Sequence, residues 1–570
     1  MGSLRRIVAM AAVMALVALV FVRIDARAWD TSPVQQLQTV TAHNEQCGKN
    51  DLPEGAIQGD VPKADQDSGR AQKGYNCGLE LLGHTQLLKS ADGDTRPAGN
   101  ANMAWAGHCA YVAGSAGVNV APQGKPSPPP NAGIAVISVT DGGTPTFLST
   151  LRNPGSLATA ETLNAVTTPQ GRSILVAGQY GNDIVSDPKP MDVYDVTDCE
   201  HPQFLTTYFW PENIHNLTIT QDGKYVFATL PLQAVDISGL WATPPTPVKY
   251  LGDIEKVMDG PPMATGPVAD LDDNAPAAVR SRTHPQDSSH EAWPSPDGNT
   301  LYVGGQTPTF EIFSIVDISQ WLQRNADGTP KGGPRVISQE SGRGHSVRLA
   351  NIGGTPYILH SEESVFGGAY GCIPQEGAPF VGPAQPYLTD ISDPTHPKTV
   401  VQFGLEINDL KNCPQQMQAK ENDSVHYHDV DNPTDTTFVM ASMWNAGLRL
   451  FDVRNPKQPS EVGYFNPADV DPTSAVDLDH AWGHSRYLPD KGQIWFGTAD
   501  GGFWVVGIER QLRQYLNLDK KNAKHHIAVP TLQANDLGRP GTVGADLQRP
   551  PWGYIDISPY YCAFSGIRVG

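Results

Sequence analysis

One short stretch of sequence recurs through the chain, and this repeat restricts the fold more than any other feature. Its clearest copy, Leu448 to Pro459, reads LRLFDVRNPKQP, and six other copies match it to varying degrees. The position that is aspartate in five copies falls at Ser138, Asp195, Asp236, Asp317, Asp390, Asp452 and Gly507. The copies lie on average about 61.5 residues apart, with the variation expected of inserted loops.

Each copy predicts two strands joined by a polar turn, and a further strand pair precedes it. The segment from His290 to Gly305, HEAWPSPDGNTLYVGG, shows such a pair, with two strand-forming runs separated by Pro-Asp-Gly. Four strands per unit in seven units predict an all-β, seven-bladed β-propeller with irregular N- and C-terminal extensions.

The two ends of the repeat region predict how the ring closes. The last copy ends at Ile508 without a fourth strand, whereas Leu79 to His84, LELLGH, resembles a fourth strand and precedes the first copy. We therefore expect residues near 79–88 to complete the seventh blade and cover its edge. The alternative is an independent N-terminal strand.

The predicted organisation is a signal peptide (1–28), an irregular N-terminal extension (29–78), the propeller (79–518) and a C-terminal extension that wraps the propeller (519–570).

The N-terminus has the three parts of a secretory signal peptide. Arg5 and Arg6 precede an apolar run from Ile7 to Val22, and Ala26-Arg27-Ala28 follows as a cleavage site. An uncleaved membrane anchor is the alternative, but the run is slightly short for a bilayer. The sequence predicts an exported protein, periplasmic or secreted, without membrane insertion after cleavage.

Charge and cysteine content narrow the function classes. The formal net charge of −20 opposes binding to phosphate backbones, so we expect no nucleic-acid partner. Seven cysteines in an oxidising compartment allow disulfides and leave at least one cysteine unpaired. Cys47 with Cys77 and Cys372 with Cys413 are plausible local pairs, although the sequence cannot fix the connectivity.

The sequence of the repeat resembles that of the LVIVD-repeat proteins, an exported group of bacterial and archaeal propellers. The segment from Gly99 to Ala113, GNANMAWAGHCAYVA, is also similar to the opening of such proteins. The resemblance covers most of residues 79–508 and implies a propeller outside the cytoplasm. It implies no particular activity, because a fold alone does not define one.

Histidines recur at one place in the repeat. His215, His290, His345, His428 and His484 each lie eight residues before the turn that joins the first two strands of their blade. The first two blades place Gly99 and Leu163 there instead. Equivalent positions at the start of the innermost strands point toward one axis, so the five imidazoles predict a site for copper or iron, with zinc as a third candidate. The alternative is a hydrogen bond that each blade repeats, because an imidazole both donates and accepts.

Four more residues are candidates for catalytic roles around this ring. Glu362 and Glu363 follow a strand that ends on the same face, and could orient histidine ligands. His426 and His480 lie two and four residues before ring members, and could act as additional ligands or proton carriers.

The predicted function is a metal-dependent oxidoreductase that acts on a small organic substrate at the channel mouth. The layout is similar to two His-metal propeller families, carotenoid-cleaving oxygenases and selenium-binding proteins, which include methanethiol oxidases. The alternative is a non-catalytic binding or interaction propeller that uses its loop face.

Overall fold

The strands of the described residues form seven sheets, whose blade strands pair antiparallel and which are arranged as the blades of a β-propeller; this confirms the predicted fold class. The computed structural model describes residues 39–55, 57–87, 102–114, 133–179, 189–257, 289–305, 312–341, 344–361, 383–419, 423–468, 479–481, 483–499 and 501–519. The first strands of blades 1 to 5 each contact the first strand of the next blade, and so these strands surround the axis.

The first four strands precede the first repeat, and the blades then follow one another along the chain. The early strands are β1 (Thr39–Val40), β2 (Ala42–His43), β3 (Tyr75–Cys77) and β4 (Leu79–Thr85). Blade 1 contains β5 (Met103–Ala106), β6 (Cys109–Ala113), β7 (Ile134–Val139) and β8 (Pro145–Leu151). Blade 2 contains β9 (Leu163–Thr167), β10 (Ser173–Gly178), β11 (Lys189–Asp195) and β12 (Gln203–Trp210). Blade 3 contains β13 (Leu217–Ile219), β14 (Tyr225–Ala228), β15 (Gln233–Asp236) and β16 (Lys249–Asp253). Blade 4 contains β17 (Ser289–Pro294), β18 (Thr300–Gly305), β19 (Ile312–Asp317) and β20 (Arg335–Ser341).

Blade 5 contains β21 (Ser346–Ile352), β22 (Thr355–Ser361), β23 (Pro386–Asp390) and β24 (Lys398–Phe403). Blade 6 contains β25 (Tyr427–Val430), β26 (Phe438–Ser442), β27 (Leu448–Asp452) and β28 (Ser460–Asn466). Blade 7 contains β29 (Arg486–Leu488), β30 (Gln493–Thr498) and β31 (Gly502–Ile508). Short helices are α1 (Lys63–Ser68), α2 (Ile254–Val257), α3 (Ser319–Leu322), α4 (Cys413–Ala419) and α5 (Arg510–Leu516). Single 3₁₀ turns occupy Ala71–Lys73, Ser156–Ala158, Ser238–Trp241, Glu406–Asn408 and Leu410–Asn412.

The repeated aspartate has a local structural cause. It ends the third strand of its blade, and its Oδ1 accepts a hydrogen bond of 2.8–3.0 Å from the backbone N–H two residues later. This bond forms at Asp195, Asp236, Asp317, Asp390 and Asp452. The carboxylate replaces a backbone partner and fixes the turn into the outer strand, which is a common use of aspartate.

The core lies between neighbouring blades, as strand periodicity requires. In β10, Leu175 and Ala177 pack in a cluster with residues of blade 1. The alternate residues Ile174 and Val176 pack in a cluster with residues of blade 3. Successive side chains of a strand point to opposite faces, so a blade that is covered on both faces needs apolar residues at every position. Full burial of such a side chain contributes about 1.5–3 kcal/mol.

The ring closes with a strand from the other end of the chain. β4 pairs antiparallel with β31, from Ile508 opposite Leu79 to Phe503 opposite Thr85. This pairing confirms the prediction that residues near 79–88 complete the seventh blade.

The described part of the predicted irregular extension, residues 39–55 and 57–78, contains three short strands. β1 pairs parallel with β24, β2 pairs parallel with β28, and β3 pairs antiparallel with β28. The outer strands of blades 5 and 6 offer unpaired backbone groups, which these short strands satisfy. Strands of two or three residues are too short to leave a pattern in the sequence, which is why the prediction missed them.

Two disulfides are present among the described residues. Cys47–Cys77 confirms one predicted pair. Cys109–Cys199 joins blades 1 and 2 across a sequence separation of 90 residues, and only blade packing brings these two cysteines together. Cys372, the predicted partner of Cys413, lies outside the described residues.

The predicted signal peptide and nearly all of the predicted C-terminal extension, 520–570, also lie outside the described residues. No helix in the described part of the chain is long and apolar enough to cross a bilayer.

Candidate metal centre

Three histidines occupy one structural position at the inner end of their blades. His215, His345 and His426 lie just before β13, β21 and β25, the innermost strands of blades 3, 5 and 6. The backbone N–H of each donates a hydrogen bond of 2.6–2.9 Å to a carbonyl at the end of the blade's second strand, on Thr229, Ser361 and Ser442 respectively. The shared backbone contact places all three side chains at the axis.

His290, near the start of β17, and Glu161, just before β9, join these three histidines. Nε2 of His290 lies 2.6 Å from Nε2 of His215. Oε2 of Glu161 lies 3.3 Å from Nε2 of His215 and 3.5 Å from Nε2 of His290. Ligand atoms of Glu161, His290 and His345 all lie within 4.8 Å of one another. The side chains of five blades therefore meet in one group, which we call the histidine layer: Glu161, His215, His290, His345 and His426.

Further contacts link His345 and His426 to the rest of the histidine layer. Oε1 of Glu161 lies 3.7 Å from Nε2 of His426. The ring of His345 lies 3.8 Å from that of His290 and 5.0 Å from that of His426, measured between centroids. All of these residues are buried, with His215 the most exposed at 6%.

Tyr427 supports the carboxylate of the histidine layer. Its hydroxyl donates a hydrogen bond of 2.6 Å to Oε2 of Glu161 and accepts one of 3.3 Å from Nδ2 of Asn216. Its ring contacts the rings of His345 and His426. The hydrogen bond to the charged carboxylate fixes Oε2 on the side of His215 and His290.

The electrostatics of the layer favour an ionised carboxylate and a neutral imidazole. Burial alone would raise the pKa of Glu161, but the hydrogen bond from His215 and the potential of the surrounding imidazoles hold that pKa well below its usual value. Burial lowers the pKa of His290 well below the ordinary histidine value, and the neighbouring His345 and His215 act in the same direction. At neutral pH His290 therefore keeps a lone pair for a metal ion.

The tautomer of His290 also fits a metal ligand. Its Nδ1 lies 3.2 Å from the backbone oxygen of His345, so Nδ1–H donates there and Nε2 carries the lone pair. A backbone carbonyl that orients the far nitrogen in this way is typical of metal-binding histidines.

The spacing of the donor atoms fits a small transition ion after a modest adjustment. Two ligands at about 2.0–2.1 Å from a tetrahedral zinc lie roughly 3.3 Å apart. The distances from Glu161 to His215 and His290, 3.3 and 3.5 Å, match that edge. The 2.6 Å between the two imidazole nitrogens is a hydrogen bond, which would have to open by several tenths of an ångström. Imidazole nitrogens with one carboxylate suit copper, iron or zinc.

His428, a predicted ring member, lies outside the histidine layer. The segment between β25 and β26 is longer than the turn between β13 and β14, so counting back from Thr436 selects a residue two positions too far along the strand. His426 takes the shared position instead. His428 is buried, and neither of its ring nitrogens has a hydrogen-bond partner among the described residues. Burial, assisted by the charge of Arg348, lowers its pKa to about 3.

His484, the fifth predicted ring member, belongs to a different group. Its backbone N–H bonds to Oδ1 of Asn102 instead of a second-strand carbonyl. Its Nδ1 lies 3.2 Å from Oδ2 of Asp429, and both ring nitrogens lie within 2.8 Å of Nη2 of Arg348. Arg348 also pairs with Glu291 at 2.7 Å and with Asp429 at 3.0 Å. We call these four residues the arginine layer: Glu291, Arg348, Asp429 and His484.

The remaining candidate residues lie outside the histidine layer or outside the described residues. His480 is buried and contacts the ring of Trp444, which in turn contacts His426, so it lies one residue removed from the histidine layer. Glu362 and Glu363 lie outside the described residues. The structure thus brings together His215, His290 and His345 of the predicted ring, and replaces His428 with His426.

Two members of the site, Glu161 and Tyr427, were not predicted from the sequence. Glu161 lies two residues before Leu163, the position that the repeat alignment assigned to blade 2, and no motif surrounds it. Tyr427 lies between two candidate histidines on a predicted strand, where an aromatic residue is ordinary. Aligning blade 6 by its strands instead of by Thr436 would have selected His426.

Comparisons with known proteins bear on the fold alone. No family model and no curated protein sequence matches the chain. Among solved structures, the chain is similar to the hydrazine synthase of Kuenenia stuttgartiensis, with 12% identity and a TM-score of 0.41, over 72% of this chain and 96% of that one. It is also similar to the β-propeller domain of Cps50 (Swd1) from Myceliophteria thermophila, with 12% identity and a TM-score of 0.38, over 66% and 93% of the two chains. At these values neither structure informs on function. By its own structure the protein is a seven-bladed propeller with a group of residues that could hold a metal ion.

Proposed function

We propose that this protein is an exported propeller that binds copper or iron at the histidine layer and uses it in an oxidoreduction of a small organic molecule. The observation that carries the proposal is the convergence of Glu161, His290 and His345, whose ligand atoms lie within 4.8 Å of one another. His215 and His426 supply further nitrogens. Zinc is the third candidate metal, because the same donors suit it.

The chain's own residues would do three things for a bound ion. Glu161 offsets one positive charge, Tyr427 holds its carboxylate in place, and the carbonyl of His345 orients His290. The bound ion would supply a redox or Lewis-acid centre. Predicted export and the presence of two disulfides are consistent with an oxidising compartment.

The burial of the layer favours a second candidate, a propeller that is not an enzyme. Glu161, His290, His345 and His426 are 0% exposed. An ion enclosed by side chains from several blades would stabilise the ring as a structural centre, and structural sites are closed whereas catalytic sites keep an open position. The protein would then act by binding a partner at its surface.

The first experiment is metal analysis of the protein purified from the exported fraction. We expect about one transition ion per chain, and less than about a tenth of that in a His345→Ala variant. His428→Ala is the matched control, because it removes a buried imidazole outside the layer and should keep the metal. Equal metal content in the His345→Ala variant and the native protein would refute the site. N-terminal sequencing of the same preparation tests cleavage after Ala28.

A second measurement separates the two candidates. For a copper or iron enzyme, the electron paramagnetic resonance signal of the ion changes when a small reductant is added, and oxygen is consumed. A redox-silent ion whose removal by a chelator lowers the melting temperature would support the structural centre instead.

A further inference from the structure

Neither cysteine of the Cys109–Cys199 disulfide belongs to the histidine layer. Cys109 begins β6 directly after the turn that follows β5, and Cys199 lies in the turn between β11 and β12. Both turns are at the ends of the blades opposite the starts of the first strands. The disulfide therefore joins blades 1 and 2 on the other face of the propeller.

An imidazole lies beside this disulfide and is held by a carboxylate. Nδ1 and Nε2 of His108 lie 3.7 and 3.9 Å from Sγ of Cys199. One of these nitrogens and both sulfurs lie within 4.8 Å of one another. Nε2 of His108 also lies 3.1 Å from Oε1 of Glu200, which accepts a hydrogen bond of 2.7 Å from Oγ of Ser138.

This arrangement places an imidazole and its carboxylate partner close to both sulfurs. The hydrogen bonds from Ser138 and His108 lower the pKa of Glu200, so an ionised carboxylate lies 3.1 Å from Nε2 of His108. An imidazolium next to a cysteine stabilises its thiolate and makes it a better leaving group.

The Cys47–Cys77 disulfide has the opposite environment. A carboxylate oxygen of Asp51 lies within 4.8 Å of the sulfurs of Cys47 and Cys77. Oδ2 of Asp51 accepts hydrogen bonds from the backbone N–H groups of Gly48 and Gly78. A negative group disfavours a thiolate, although Cys47 is exposed whereas Cys109 and Cys199 are buried. Accessibility and electrostatics therefore differ in opposite directions between the two disulfides.

We propose that Cys109–Cys199 is a thiol–disulfide exchange site that accepts electrons from a dithiol, with His108 stabilising the sulfur that leaves. A thiolate of the dithiol attacks Sγ of Cys199, the S–S bond breaks, and Cys109 leaves as a thiolate beside His108. The second thiolate of the dithiol then attacks the mixed disulfide and releases Cys199. The dithiol becomes a disulfide, and the protein gains two electrons and two protons as two thiols.

The neighbouring contacts allow the Cys109–Cys199 disulfide to form again after reduction. Glu200 of blade 2 bonds to His108 and Ser138 of blade 1, and the hydroxyl of Tyr111 donates a hydrogen bond of 2.9 Å to the backbone oxygen of Cys199. These bonds do not involve the sulfurs, so they keep the two cysteines adjacent after reduction.

The test compares the two disulfides within one molecule. The native protein is treated at neutral pH with limiting dithiothreitol, free thiols are trapped with N-ethylmaleimide over time, and mass spectrometry of peptides gives the opening rate of each disulfide. We expect His108→Ala and His108→Gln to slow the opening of Cys109–Cys199 about tenfold, as the loss of a stabilised leaving thiolate predicts. Cys47–Cys77 should open at its native rate in both variants.

The matched control is His201→Gln, which removes an exposed histidine two residues after Cys199 that pairs with Asp198. It should leave both rates unchanged. Native rates for Cys109–Cys199 in the His108 variants would overturn the proposal. An equal change at both disulfides would also overturn it, because it would show a general loss of structure. A slowed rate in His108→Ala that is restored in His108→Gln would assign His108 a structural role and equally reject the exchange site.

Discussion

The inner strands of the propeller carry two buried polar groups whose charges are balanced in different ways. The histidine layer surrounds one carboxylate, that of Glu161, with imidazoles. Each ion pair of Glu161 among the described residues is with a histidine. The arginine layer surrounds one guanidinium, Arg348, with the carboxylates of Glu291 and Asp429. Tyr427 bridges the two layers, because its ring contacts His484 of one and His345 of the other.

The difference between the layers bears on which of them could hold a metal ion. Arg348 is a permanent cation that lowers the pKa of Glu291, and His484 and Arg348 together lower the pKa of Asp429, so the charges of this layer already pair. Buried pairs of this kind lose stability when one partner is removed. The histidine layer has only titratable counter-charges, so a metal ion can replace protons there. We therefore expect the arginine layer to stabilise the fold, whereas the residues of the histidine layer could hold a metal ion.

The largest expected effect comes from breaking the arginine layer. Arg348→Met leaves Glu291 and Asp429 buried without their cation, which should lower the free energy of unfolding by about 3–5 kcal/mol. Urea denaturation of the native protein and the variant measures the change.

Arg335→Met provides the control for that substitution. Arg335 is exposed and lies 3.4 Å from Asp317, so the loss should stay below about 1 kcal/mol. If Arg348→Met costs no more than this control, the arginine layer does not stabilise the fold and the comparison fails.

The second effect concerns metal affinity. Glu161→Gln keeps the shape of the side chain but removes its charge, and should weaken metal binding about 10- to 100-fold. Asp429→Asn removes a carboxylate from the arginine layer and should change the affinity less than about threefold, since Asp429 pairs with Arg348 and His484. Competition with a chelator of known affinity measures both variants. Equal losses would mean that the two layers act as one site.

The smallest effect tests the register of blade 6. His428→Leu removes a buried imidazole without hydrogen-bond partners among the described residues and should raise the free energy of unfolding by about 1 kcal/mol, with unchanged metal affinity. His426→Leu, the same change two residues earlier, should weaken metal binding about tenfold or more. Thermal melts and metal titrations of the two variants check this pair. If only the His428→Leu variant loses metal, the alignment of blade 6 by Thr436 is correct and His428 is the ligand.

Much of the fold could be predicted because the propeller repeats the same local physics seven times. The aspartate that fixes the outer turn recurs in five blades, and the apolar sequence of the strands recurs with every blade. Both the number of blades and the closing strand near Leu79 can therefore be read from the sequence. The short strands β1 to β3 were not, because they form only where a blade edge offers backbone partners.

The candidate site was predictable only in part. Its residue type and its place at the start of the inner strands follow from the repeat, and three predicted histidines do meet there. The choice between His426 and His428 depends on the length of one connection, and two residues along a strand amount to about 6.6 Å, enough to move a side chain out of a site.

By itself, the sequence determined the blade count, the closure of the ring and the kind of side chain at its axis, because these depend on periodicity along the chain. Only the tertiary structure decided which side chains share a centre: Glu161 with the histidines, His484 with Arg348, and Cys109 with Cys199. Such contacts join residues of different blades. They depend on the angle between the blades and on how far each side chain lies along the axis, and the residue spacing within one blade specifies neither.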